Sequence, residues 1–133
     1  MDYKDNIVTT ASNWWAEVIK DAKLDSGATG YEGAMSTVLG NMLKKQISDI
    51  EQLKFKNLLK EYIIKNYEEN FIKSNGTRSI ILSCDYGPDA NLAKIAEQCS
   101  ISENNFPWKT TMWIGPDYIQ VKYGYSSRNR NII

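Results

Sequence analysis

Histidine is absent from all 133 residues of this chain. That single gap removes Ser-His and Cys-His nucleophile pairs, imidazole general bases and His-ligated zinc. Cysteine is nearly as scarce: Cys84 and Cys99 are the only two, and no C-x-x-C occurs. Each ends an apolar stretch, so both read as reduced core thiols of a cytoplasmic protein, with a single disulfide as the alternative. An excess of either charge is also missing. Sixteen Lys+Arg balance sixteen Asp+Glu, so no chain-wide field draws the molecule to nucleic acid or an anionic membrane. No run approaches the roughly 20 apolar residues of a membrane span, and the N-terminus is polar rather than signal-like. The glycine-rich stretch Asp25–Gly33 lacks the Gly-Lys-Ser/Thr of a phosphate loop and reads as a connector. From these absences no catalytic residue, no cofactor and no metal is expected, and the chain is read as a non-enzyme.

What is present is ordinary globular material with an unusual share of aromatics. Apolar residues make up 42% and charged residues 24%, with four Trp and eight Tyr. The length suits a single domain over residues 1–133, large enough to bury a core without staples. Ala11, Trp14, Trp15, Val18, Ile19 and Ala22 form one helical stripe, with Thr9, Thr10 or Ser12 as N-cap and Asp25-Ser26-Gly27 as the stop. Ala34, Met35, Val38, Leu39, Met42 and Leu43 predict a second helix over about Glu32–Gln46. Ser48-Asp-Ile-Glu51 is a capping box. It opens a third helix over about Asp49–Asn70, with Phe55, Leu58, Leu59, Tyr62, Ile63 and Tyr67 on one face and lysines mostly on the other.

Beyond Ser74-Asn-Gly-Thr77 the pattern changes from helical to extended. Ser79–Cys84 reads as a buried strand. Pro88 fits the first position of a fourth helix carrying Leu92, Ile95, Ala96 and Cys99. Trp108–Ile114 and Tyr118–Tyr123 read as strands joined through Gly115-Pro116-Asp117. The expected fold class is α+β: three N-terminal helices followed by a β-α-β-β unit, the helices packed on a small three-stranded sheet. Residues 125–133, with Arg128 and Arg130 among Ser and Asn, read as a short mobile tail.

The alternation of the hairpin suggests a binding surface. Trp108, Thr110, Met112 and Ile114 share one side, with Lys109, Thr111 and Trp113 opposite; Ile119, Val121 and Tyr123 oppose Tyr118, Gln120 and Lys122. If helices cover only one side, Trp113 with Tyr118 or Tyr123 stays on the other, flanked by Lys109 and Lys122. Aromatics among lysines on an open sheet suit a protein partner. The competing reading buries these rings under the third helix. The sheet also has edges that could pair with a second copy, so a homodimer is open.

Two other functions compete. Asp85, Tyr86 and Asp89 follow a strand and precede a helix, where α/β folds hold small molecules or nucleotides, although both carboxylates also suit plain capping. Asn91–Ser102 resembles the first helix and turn of a DNA-binding helix-turn-helix. Its recognition helix would have to be Glu103–Ile114, which contains Pro107 and the strand-prone Thr110-Thr111. Finally, Phe106-Pro-Trp-Lys-Thr-Thr-Met-Trp-Ile114 with the preceding Asp85-Tyr-Gly-Pro-Asp89 resembles small uncharacterised proteins of Firmicutes phages and mobile elements, over about residues 80–124. The richness in Ile, Lys, Asn and Tyr fits an AT-rich genome. That resemblance implies an accessory protein that inhibits a host defence protein by occupying it.

Overall fold

The computed structural model describes residues 3–21, 46–73, 78–124 and 128–133. The second expected helix, at about 32–46, and the stop at 25–27 lie outside the described residues. Helix α1 (Tyr3–Asp21) starts well before its tryptophans. Ile7 and Val8 carry the apolar stripe one turn upstream, and with Ala11, Trp15 and Ile19 they are fully buried. The caps expected at Thr9, Thr10 or Ser12 are therefore interior positions. The buried Ser12 hydroxyl instead donates to the Val8 carbonyl at 2.8 Å, the back-bond a serine makes inside a helix.

Helix α2 (Asp49–Tyr67) opens as its capping box requires. The Glu51 N–H donates to Ser48 Oγ at 3.1 Å, and the Ser48 N–H donates to the Glu51 carboxylate at 3.0 Å. Phe55, Leu59, Ile63 and Tyr67 form its buried face. A π-helical turn, Glu68–Lys73, continues it past the expected end. Along α1 the Gln52 side-chain amide donates to the Ala16 carbonyl at 2.9 Å, and Lys20 pairs with Asp49. Lys4 and Glu68 close the far end at 3.2 Å.

Among the described residues the sheet has four strands rather than three: β1 (Ile80–Cys84), β2 (Thr110–Ile114), β3 (Ile119–Lys122) and β4 (Arg130–Asn131), in the order β1-β2-β3-β4. Every neighbouring pair is antiparallel. The added strand comes from the stretch read as a tail, where Ile132 N–H donates to the Ile119 carbonyl at 2.9 Å and Ile132 and Ile133 pack against the core. Two terminal isoleucines among polar residues are the anchor that the composition concealed. Strand β1 is not buried on both faces. Its burial alternates, and Ile81 remains 49% exposed.

Between β1 and β2 runs helix α3 (Ala90–Gln98), capped by Asp89, whose carboxylate accepts from the Leu92 N–H at 2.8 Å. Pro88 lies one residue before the cap and bridges to Cys84, so it is not the first helical residue. The helix ends in a Schellman pair, Ile101 N–H to the Ala96 carbonyl and Ser100 N–H to the Glu97 carbonyl at 2.9 and 3.1 Å. Ser100 holds the left-handed position, φ 59°, usually taken by glycine. After it come a single 3-10 turn (Glu103–Asn105), Phe106 and β2. No recognition helix forms there, which removes the helix-turn-helix alternative. Pro107 and the β-branched threonines set that outcome, and Phe106 is drawn into the core, 5.9 Å from the Phe55 ring and 6.3 Å from that of Trp15.

Leu82, Met112, Ile114, Ile119 and Val121 point from the sheet into the same core as Trp15, Leu59, Ile63 and Leu92. The helices thus cover one face of the sheet. Strand β2 begins at Thr110 rather than Trp108, because Lys109 turns into left-handed backbone, φ 53°.

Candidate functional site

The register of the strands builds the opposite face row by row. Ile81, Trp113, Gln120 and Asn131 stand side by side across β1 to β4. The next row holds Ser83, Thr111 and Lys122. These side chains are half-buried or exposed, whereas their strand neighbours Leu82, Met112 and Val121 are fully buried. Trp113 occupies a strand flanked on both sides, so its backbone is fixed before anything binds.

The hairpin end is pinned by tyrosines. The Tyr118 and Ser79 hydroxyls lie 2.5 Å apart, and the Tyr118 ring crosses Gly115 so closely that a Cβ there would stand 1.9 Å from it. The turn Pro116-Asp117 is closed by Gly115 N–H donating to the Tyr118 carbonyl at 2.9 Å. From α2, the Tyr67 hydroxyl donates to the Pro116 carbonyl, tying the hairpin to the helices.

At the other end, Lys109 N–H donates to the Asp85 carbonyl at 2.7 Å, and the two side chains form an ion pair. The Lys109 ammonium also lies 4.7 Å from the centre of the Tyr86 ring, within cation–π range. The hydrogen bond to Asp85 raises the Lys109 pKa and keeps it cationic. Tyr86 is 60% exposed and meets Trp108 edge-on at 5.6 Å. Ser83, Asp85, Lys109, Thr111 and Lys122 line a shallow depression between this corner and the middle of the sheet.

The residues singled out in the sequence are therefore divided. Trp113, Tyr118 and Lys122 share the open face, and Lys109 stands at its end. Tyr123 does not join them: it lies on the helix side, edge-on to Trp14 at 5.9 Å. Ile81 and the Tyr86–Trp108 pair were not foreseen as part of this surface. The alternation Ser79, Ile81, Ser83 was the signal available, obscured by three apolar residues in a row.

The Asp85–Asp89 turn separates in the same way. Asp89 spends one carboxylate oxygen on the Leu92 N–H and the other on the Ser83 N–H at 2.9 Å, while its own N–H donates to the Ser83 carbonyl at 2.8 Å. It seals the outer edge of β1 and caps α3 at once. Asp85 is turned away to Lys109. Burial, and after it the nearby Asp89 charge, pushes the Cys84 thiol far up, so it is not a nucleophile at neutral pH. Both cysteines are buried and free of disulfide. Among the described residues no three Cys, Asp or Glu side chains gather around a common point, and no helix is long and apolar enough to cross a membrane.

Compared with known families, residues 34–133 match the sequence profile of the BTG family. Comparison with curated proteins finds no match. BTG proteins are eukaryotic anti-proliferative regulators, and the matched span contains all of residues 80–124. The resemblance to Firmicutes phage and mobile-element proteins is thereby overturned, and the expected role as an inhibitor of a host protein falls with it. Richness in Ile, Lys, Asn and Tyr follows an AT-rich genome in any lineage, so it carried no information about ancestry. The chain belongs to the BTG family, whose members are non-catalytic adaptors that work by binding other proteins.

Proposed function

We propose that this chain is a non-catalytic adaptor that docks its protein partner on the open face of the sheet, with Trp113 as the anchor. The observation carrying this reading is the unequal treatment of the two sheet faces. One is buried under helices, while the other keeps Trp113 half-exposed beside Ile81 in adjacent register. A tryptophan on a rigid strand offers a large contact area at little entropic cost and suits the centre of an interface. Tyr118 at one end and the Tyr86–Trp108 pair at the other supply further aromatic area, and Lys109, Gln120 and Lys122 supply a polar rim. BTG-family proteins bind partners such as CAF1, and CAF1 is the partner proposed for this chain. A ligand site at Asp85, Tyr86 and Asp89 has less support, because both oxygens of Asp89 are already engaged by backbone N–H groups.

The test is titration calorimetry of CAF1 into the wild-type chain and Trp113→Ala. Loss of an anchoring tryptophan weakens binding by about 2 kcal/mol or more, with the thermal midpoint little changed because the side chain is outside the core. Equal affinity for the two proteins would remove Trp113 from the interface and refute the reading.

A further inference from the structure

We infer that the depression beside Trp113, lined by Ser83, Asp85, Lys109, Thr111 and Lys122, receives an acidic side chain of the docked partner. This rests on the open face being the docking surface and adds the chemistry of what docks there. The depression carries two ammonium groups against one carboxylate. Lys109 is engaged by Asp85 and by the face of Tyr86, which fixes it in place at the rim. Lys122 is different: among the described residues it forms no ion pair. Its cross-strand neighbour is Thr111 and the next in that row is Ser83, so hydroxyl groups and no acidic side chain flank it within the sheet.

A carboxylate entering here meets the Lys122 ammonium and two hydroxyl donors, with Lys109 at hand across the depression. This is a set of donors with one unbalanced positive charge, held on strands whose backbone does not need to move. Charge-assisted hydrogen bonds are shorter and stronger than neutral ones. They gain further when an apolar contact over Ile81 and Trp113 excludes water. The left-handed Lys109 backbone, φ 53°, is a conformation a non-glycine residue holds at a cost. At that residue the Lys109 N–H donates to the Asp85 carbonyl and the side chain lines the depression. Charge complementarity therefore selects a partner segment with an aromatic-seeking apolar group next to an Asp or Glu.

Two measurements test the inference separately from the identity of the partner. In the first, isotope-labelled protein is titrated with succinate at constant ionic strength and followed by amide chemical shifts. The inference expects saturable shifts confined to Ser83, Lys109, Thr111 and Lys122, abolished in Lys122→Gln. Shifts that fail to saturate, or that spread equally to lysines of α2 such as Lys65, overturn it. In the second, CAF1 affinity is measured for Lys122→Glu and for the charge-matched control Lys65→Glu, between about 50 and 300 mM salt. Lys122→Glu is expected to weaken binding about tenfold at low salt and to flatten the salt dependence, with Lys65→Glu near wild type. Equal effects of the two variants overturn the inference even if Trp113→Ala abolishes binding. Should the wild-type chain bind no CAF1, the proposed partner fails and the succinate titration alone decides.

Discussion

At the scale of single residues, two positions trade stability for geometry. Ser100 occupies the left-handed site of the α3 Schellman motif, φ 59°, where a Cβ is unwelcome and glycine is at ease. Ser100→Gly is expected to stabilise the fold by about 0.5–1 kcal/mol, read as a rise in the thermal midpoint. A fall would mean that the serine side chain makes a contact worth more than the backbone relief. Trp15 is fully buried, yet its indole N–H has no acceptor among the described residues. Leaving such a donor unpaired costs about 1–3 kcal/mol, outweighed by the area the ring buries against Phe106 and Trp14. Trp15→Phe removes the orphan along with some area and is expected to cost less than about 2 kcal/mol, whereas Trp15→Ala opens a cavity worth about 3–5 kcal/mol. Denaturant midpoints of the two variants separate these terms. A phenylalanine variant as damaged as the alanine one would contradict the assignment.

At the scale of elements, the start of α2 is tied to pH. The hydrogen bonds from Ser48 hold the Glu51 carboxyl below its usual range, and Lys20 does the same for Asp49. A carboxyl whose folded pKa lies below its unfolded value contributes stability that is complete above the unfolded pKa. That contribution is lost as pH falls through the folded pKa. Acidification from neutral pH through the carboxylate range should therefore lower the thermal midpoint. Glu51→Gln keeps an acceptor for the Ser48 N–H but cannot titrate, so it should flatten that decline, and Asp49→Asn with Glu51→Gln should flatten it further. An unchanged decline would assign acid sensitivity elsewhere. The capping box was legible because it is local: four residues define it. The start of α1 was not, since Thr9, Thr10 and Ser12 are all good caps in isolation. Burial of Ile7 and Val8 against the rest of the core overrides them, and no local pattern encodes that.

At the scale of the whole molecule, what the sequence concealed is long-range pairing. The hairpin between β2 and β3 could be read from Gly115-Pro116-Asp117 and the alternation around it. β1 reaches β2 across a helix, and β4 returns from the chain end, so neither neighbour could be inferred from spacing. For the same reason the open face was only half legible. Trp113, Tyr118 and Lys122 follow from alternation within the hairpin. Ile81 enters only through the β1 register, and Tyr123 leaves by the alternation itself, since it shares the side of the buried Ile119 and Val121, where it meets Trp14. Helices on one face and a half-exposed Trp113 on the other are the arrangement on which the proposed docking role rests. The most direct test of that claim is amide hydrogen exchange of the chain alone and saturated with CAF1. Added protection is expected at 81–83, 110–113 and 119–122, with the outer face of α2 unchanged. Protection confined to α2 or α3, with the sheet exchanging as in the free chain, would contradict it.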